Sequence, residues 1–232
     1  MRSDNQISQI KISHGAPVQL LNVIPQNTID SLIHYYNTND SIIEKNTGPK
    51  VCFIEEDHEY ISSTIDILKS QFGNFKIRAA QYFDVSEPHI IHNDDEFDYP
   101  DSYKAFTIPL LTEGADCNLA KLIMFDQYYY GGPAKFMRNG PAKKLEYYNK
   151  NLYSYNDIEG TNDKGIPATM LPMLSHLRPQ WLEGLSINSY FPWTIGSVIA
   201  FDSLQLHCAS NFKEHNITRK LGISIFTTLS KD

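Results

Sequence analysis

Residues 196–229 read GSVIAFDSLQLHCASNFKEHNITRKLGISIFTTL. A glycine turn opens a short apolar run at 198–201, a histidine follows at 207, and an alternating run begins at Lys220. Short β-branched and aromatic runs bounded by Gly, Asn and Asp predict strands. In the last run, alternation puts Lys220, Gly222 and Ser224 on one face and Leu221, Ile223 and Ile225 on the other. The aliphatic face suits packing under a helix; the small, polar face leaves room for a ligand.

The same texture extends back along the chain. FKIRAAQYFDV (75–85), HIIHNDDEF (89–97), YKAFTIPLL (103–111), LAKLIMFDQYYYGG (119–132) and SINSYFPW (186–193) all predict strands, separated by Pro, Gly and acidic clusters. Two stretches before them have helical period. In 27–37, Ile29, Leu32, Ile33 and Tyr36 share a stripe; in 59–73, Ile61, Ile65, Leu68 and Phe72 do, with Gly73 as the stop. Many short strands after two helices predict an antiparallel sandwich or barrel, mainly β, with helices on its outer face. The length suits one domain over 1–232, interrupted by a polar, Tyr-rich insert at 131–184. Such an insert is either a lid, with 131–168 as the closing segment, or a segment without fixed structure. LPMLSHLRPQWLEGL (171–185) reads as a partly helical return to the core.

A net charge of −7 and no basic stripe argue against duplex nucleic acid as a partner. Cys52, Cys117 and Cys208 are an odd number at wide spacing, which predicts no disulfide framework and a reducing, cytoplasmic setting. No run of apolar residues reaches the length of a membrane span, and the N-terminus lacks a signal-peptide core.

Residues 89–95, HIIHNDD, crowd two histidines and two aspartates into seven positions. On a strand, His92 and Asp94 point to one face, as metal ligands must, while Asn93 and Asp95 point away. Asp95 with Glu96 and Asp98 reads as a solvated acidic turn. By composition alone, about one such His-x-acid pair is expected by chance, so a further ligand has to come from elsewhere. His207, just after the later strand at 198–201, supplies it. Thirteen positions beyond it stands Lys220, beside Arg219, a cation suited to a dicarboxylate. His89 falls on the opposite strand face from His92 and reads as structural. Cys208 points away from His207 as a packing residue. Trp193 reads as a core or rim aromatic, and Tyr128, Tyr129 and Tyr130 as pocket lining or a strand end.

The order His-x-Asp, then Gly-x-apolar-apolar-x-Phe with a distal His, then a basic residue, resembles the Fe(II)/2-oxoglutarate-dependent oxygenase superfamily over about 79–228. Its phytanoyl-CoA-hydroxylase-like and prolyl-4-hydroxylase-like branches are the nearest in flavour. The resemblance implies a double-stranded β-helix (jelly-roll, cupin-like) core and Fe(II) held by His92, Asp94 and His207. It implies 2-oxoglutarate and O2 as cosubstrates and hydroxylation of a small-molecule or peptidyl substrate. An aspartate at 94, rather than Gly or Ala, points away from a halogenase. Alternation favours Lys220 over Arg219 as partner of the far carboxylate, with Ser224 as a hydrogen-bond donor. Tyr82 and Thr107 are expected to border the site, either binding cosubstrate or filling the core. Two other readings remain compatible: a metal-binding cupin-type protein that does not use 2-oxoglutarate, and a non-catalytic jelly-roll binding module.

Overall fold

The computed structural model describes residues 15–39, 43–44, 50–54, 58–95, 101–130, 132, 134–136, 145–146, 151–152, 158, 160 and 162–230. In chain order its elements are β1 (Val18–Leu20), α1 (Gln26–Thr38), β2 (Ile43–Glu44), β3 (Lys50–Phe53), α2 (Glu59–Phe72), β4 (Phe75–Val85), β5 (Ser102–Glu113) and β6 (Lys121–Tyr128). The short β7 (Lys135–Phe136), β8 (Leu145–Glu146) and β9 (Asn151–Leu152) follow, then β10 (Ile187–Pro192), β11 (Val198–Asp202), β12 (Gln205–Ala209) and β13 (Arg219–Leu229). Short 3-10 helices at Ala168–Leu174 and Pro179–Leu182 lie between β9 and β10.

Every strand pairing among the described residues is antiparallel. The major sheet runs β1-β11-β5-β13-β4-β3-β2, the minor sheet β10-β6-β12, and β7-β8-β9 form a separate small sheet. The major and minor sheets make the jelly-roll core. The outer face of the major sheet carries Phe106, Ile108, Leu221, Ile223 and Ile225, and the stripes of α1 (Ile29, Leu32, Tyr36) and α2 (Ile61, Ile65, Leu68) close over it. Burying such apolar faces is the main drive for the layers to associate. Between the sheets lie Ala105, Ile199, Phe201 and Phe226 against Leu122 and Met124. The far side of the minor sheet, with Ile123, Phe125, Leu206 and Cys208, is covered by Leu174, Leu177, Trp181 and Leu185. No helix among the described residues is long and apolar enough to cross a membrane.

Several local expectations need correction. The described part of the run expected as a strand at 89–97, residues 89–95, is not a strand: it makes one antiparallel bridge, His92 with His207. The backbone N–H of Asn93 turns to Ala134 and that of Asp94 to Ser203, so successive residues bond different partners and no ladder propagates. His207 does not merely follow the strand expected at 198–201: residues 205–209 form a strand of their own. Asp202 Oδ1 accepts from the Leu204 N–H at 2.9 Å, and that Asx turn folds the chain back so that His207 lies within β12. Asp95 is buried and accepts from Ser102 Oγ, so it is not solvated; Glu96 and Asp98 lie outside the described residues. Much of the lid segment expected at 131–168 lies outside them too.

Candidate metal centre

The bridge between His92 and His207 is the frame of the site. Their backbones exchange hydrogen bonds of 3.0 and 2.9 Å, which sets their rings side by side, tilted at 54° to each other, with centroids 4.2 Å apart. Asp94, two residues on, turns to the same side, its backbone N–H held by Ser203 O at 2.8 Å. His92 Nε2 lies 3.5 Å from Asp94 Oδ1, and His207 Nε2 lies 3.5 Å from Asp94 Oδ2. One ligand atom from each residue falls within 4.8 Å of the others.

Both imidazoles are oriented by the same local device. His92 Nδ1 lies 2.8 Å from the carbonyl of Ile90, and His207 Nδ1 lies 2.9 Å from that of Gln205. A carbonyl only accepts, so Nδ1 carries a proton and donates, and Nε2 is the ring nitrogen turned inward in each. That is the usual outer-shell arrangement of a metal-binding histidine. Burial alone would push the Asp94 carboxyl up, but the charge and hydrogen bonds of His207 and then His92, with their Nε2 atoms protonated when no metal is bound, outweigh it and hold it well below the usual carboxylate range; a metal ion would take the place of those Nε2 protons. Two neutral nitrogens and an ionised carboxylate, all on one side, fit a single divalent cation. Phe201, edge-on to His207 at 4.7 Å, walls the site on the β11 side.

The other expected site residues divide between the two faces of the major sheet. Lys220 points inward with Gly222, is 3% exposed, and lies over the Trp193 ring at 3.7 Å and the Phe212 ring at 5.2 Å. Burial pushes its pKa down to about 7, and no carboxylate pairs with it among the described residues. Arg219 points the other way. Its Nε and Nη2 grip Asp84 at 2.8 and 2.9 Å and its Nη1 reaches Glu113 at 2.6 Å. Those carboxylates hold it charged and outside the sheet interior. Ser224 pairs with Thr107 on one side and Gln81 on the other, so all three stand in one inward row.

Tyr82 does not border the site. It pairs with Ile223 on the helix-covered face, and its hydroxyl donates to Leu32 O at 3.0 Å, tying α1 to β4. His89 is not on the far side from His92 either; with no strand there to enforce alternation, its ring packs 4.0 Å from that of His92. Gln81 was overlooked in the sequence, although alternation within 75–85 places it on the face opposite Tyr82.

Comparison with solved structures agrees with this architecture. Over 97% of this chain and 84% of the other, the fold matches the non-heme alpha ketoglutarate dependent carbocyclase SnoK from nogalamycin biosynthesis, with a TM-score of 0.52 and 9% identity. The epimerase SnoN from the same biosynthesis matches over 97% of this chain and 83% of its own, with a TM-score of 0.50 and 9% identity. A Pseudomonas putida prolyl-4-hydroxylase covers 97% and 99% with a TM-score of 0.49 and 10% identity. Many of the structural neighbours are Fe(II)/2-oxoglutarate oxygenases, and this chain shares their jelly-roll fold. No protein-family model and no curated protein sequence matches it.

Proposed function

We propose that the chain is a mononuclear non-haem Fe(II)- and 2-oxoglutarate-dependent oxygenase that hydroxylates a small-molecule or peptidyl substrate. The observation that carries this reading is the convergence of His92, Asp94 and His207 within 4.8 Å, with both imidazoles turned to offer Nε2. When bound, Fe(II) with 2-oxoglutarate and dioxygen supplies the oxidative decarboxylation of the keto acid and the transfer of one oxygen atom to a C–H bond.

The chain's own residues have distinct tasks. His92, Asp94 and His207 would hold the metal, all three offering their ligand atoms within 4.8 Å of one another. Lys220 supplies a positive charge on the inner face of the major sheet, where a keto diacid can bring its far carboxylate as counter-charge. Ser224, Thr107 and Gln81 offer hydroxyl and amide groups along the same wall. The apolar layer between the sheets keeps bulk water from the buried end of the site, which strengthens each of these polar contacts.

The test is substrate-independent release of succinate by Fe(II)-loaded protein supplied with 2-oxoglutarate. His92→Ala, Asp94→Ala and His207→Ala are each expected to abolish it; full turnover in all three sinks the assignment. A visible charge-transfer band on adding 2-oxoglutarate to the Fe(II) protein separates this reading from a metal protein that does not use the keto acid. Failure to take up stoichiometric metal would instead leave a binding module.

A further inference from the structure

Trp193 brings a second unfulfilled donor into the Lys220 pocket. It is 1% exposed, and its indole Nε1 has no hydrogen-bond partner among the described residues. A buried donor without an acceptor is costly, and a buried cation without one more so. Here the two occur together, with Lys220 Nζ lying 3.7 Å over the same indole.

The indole is wedged in place. The Trp193 backbone N–H bonds Ala120 O at 2.9 Å, and its ring meets Phe83 edge-on at 5.8 Å. Its Cζ2 would lie 3.0 Å from a Cβ at Gly222. Cζ2 is bonded to the ring carbon that carries Nε1, so the N–H edge of the ring is turned toward β13, the strand that carries Lys220. Phe212 and Ile217 are buried in the same apolar cluster as the indole, with Phe83 packed against it.

We propose that Trp193 Nε1 is a second donor to the far carboxylate of the keto diacid, completing with Lys220 Nζ a two-point receptor that selects dicarboxylate over monocarboxylate keto acids. The assignment rests on the function proposed above. One carboxylate oxygen meets the ammonium and the other the indole N–H, so a single anion satisfies both buried donors.

Trp193→Phe keeps an aromatic face over Lys220 and removes only the N–H edge. Calorimetric titration of Zn(II)-loaded protein with 2-oxoglutarate is expected to show binding weakened by about tenfold or more in the variant, the usual effect of losing a hydrogen bond to a charged group. Binding of 2-oxobutyrate, which lacks the far carboxylate, is expected to be unchanged. The chain has two tryptophans, so in 15N-labelled protein the Trp193 indole resonance is identified by its loss in the variant. It is expected to move downfield with 2-oxoglutarate and to stay in place with 2-oxobutyrate. Unchanged 2-oxoglutarate affinity with a stationary resonance overturns the proposal. Equal weakening for both acids also overturns it, and marks the ring as packing alone. Wild-type protein that takes up Zn(II) but no 2-oxoglutarate overturns the oxygenase reading and this assignment with it; the first two outcomes leave that reading intact.

Discussion

Asn93 and Ala134 hold each other by two hydrogen bonds, from the Asn93 N–H to Ala134 O at 3.0 Å and from the Ala134 N–H to Asn93 Oδ1 at 2.8 Å. The Asn93 amide also donates to Gly132 O at 3.0 Å and Tyr129 O at 3.3 Å. The residue between two candidate metal ligands thereby fastens the end of the β6 segment and the root of the insert to the metal segment. Asn93 is 4% exposed, so water does not replace these bonds if they are lost. Asn93→Ala is expected to cost about 2–3 kcal/mol in denaturant unfolding, from buried backbone groups left unpaired. It should also weaken metal binding by about tenfold or more, as loss of outer-shell support does. Lost stability with unchanged metal affinity would mean that the clamp serves the fold and not the centre.

Lys220 and Arg219 are neighbours in sequence and opposites in role. Lys220→Ala is expected to weaken 2-oxoglutarate binding by more than about thirtyfold, because a buried carboxylate would lose its counter-charge. Arg219→Ala should leave that affinity within about twofold and instead cost about 1 kcal/mol of stability, since its ion pairs are partly screened by solvent. That loss includes the Asp84 oxygen shared with the Tyr36 hydroxyl at 3.0 Å, which helps anchor α1. Titration of both variants with the keto acid decides it; reversed effects would move the cosubstrate to the other face of the sheet.

The buried ammonium also gives the ligand-free protein a pH signature. Burial lowers the folded pKa of Lys220 to about 7, below the unfolded value. Between pH 7 and the unfolded value near ~10.4, the unfolded chain binds about one more proton at this site. Stability from this group therefore rises with pH across that window, by up to about 1.4 kcal/mol per pH unit. Lys220→Met should remove that slope and stabilise the ligand-free protein below pH 7. Because a bound carboxylate favours the charged form, 2-oxoglutarate affinity of the wild type should fall as pH rises above 7. Melting curves of both proteins from pH 7 to 9.5 provide the comparison; parallel curves would place the titration elsewhere.

The layers of this fold were legible in the sequence where one period dominated. The 3.6-residue stripes of α1 and α2 and the two-residue alternation of β13 each bury a continuous apolar face, so pattern and packing agree. The same alternation separated Lys220 from Arg219. It misled at 89–95, where a single bridge replaces a strand: His92 and Asp94 still share a side, but His89 escapes the rule and Asp95 is drawn inward by Ser102. Tyr82 was misplaced for want of one fact, the pairing that aligns it with Ile223 and not with Ser224. Trp193 gave no signal, because its significance lies in an unpaired N–H that only tertiary packing reveals.

Gly222 is the position on which the Lys220 pocket turns, for reasons of space. A Cβ there would sit 2.8 Å from Phe83 Cζ, 3.0 Å from Ile108 O and 3.0 Å from Trp193 Cζ2. The carbonyl belongs to β5, paired along β13, and the indole follows β10 with its backbone N–H bonded to Ala120 O, so neither is free to give way. Gly222→Ala should therefore cost about 1–3 kcal/mol, the usual penalty for overpacking a filled interior. The ring can relieve the contact only by shifting off Lys220, so 2-oxoglutarate affinity should fall as well while metal uptake by His92, Asp94 and His207 is retained. Thermal melting with parallel Zn(II) and 2-oxoglutarate titrations reads all three quantities. An alanine variant as stable as the wild type and equally able to bind the keto acid would show that the indole is not held where the ammonium needs it.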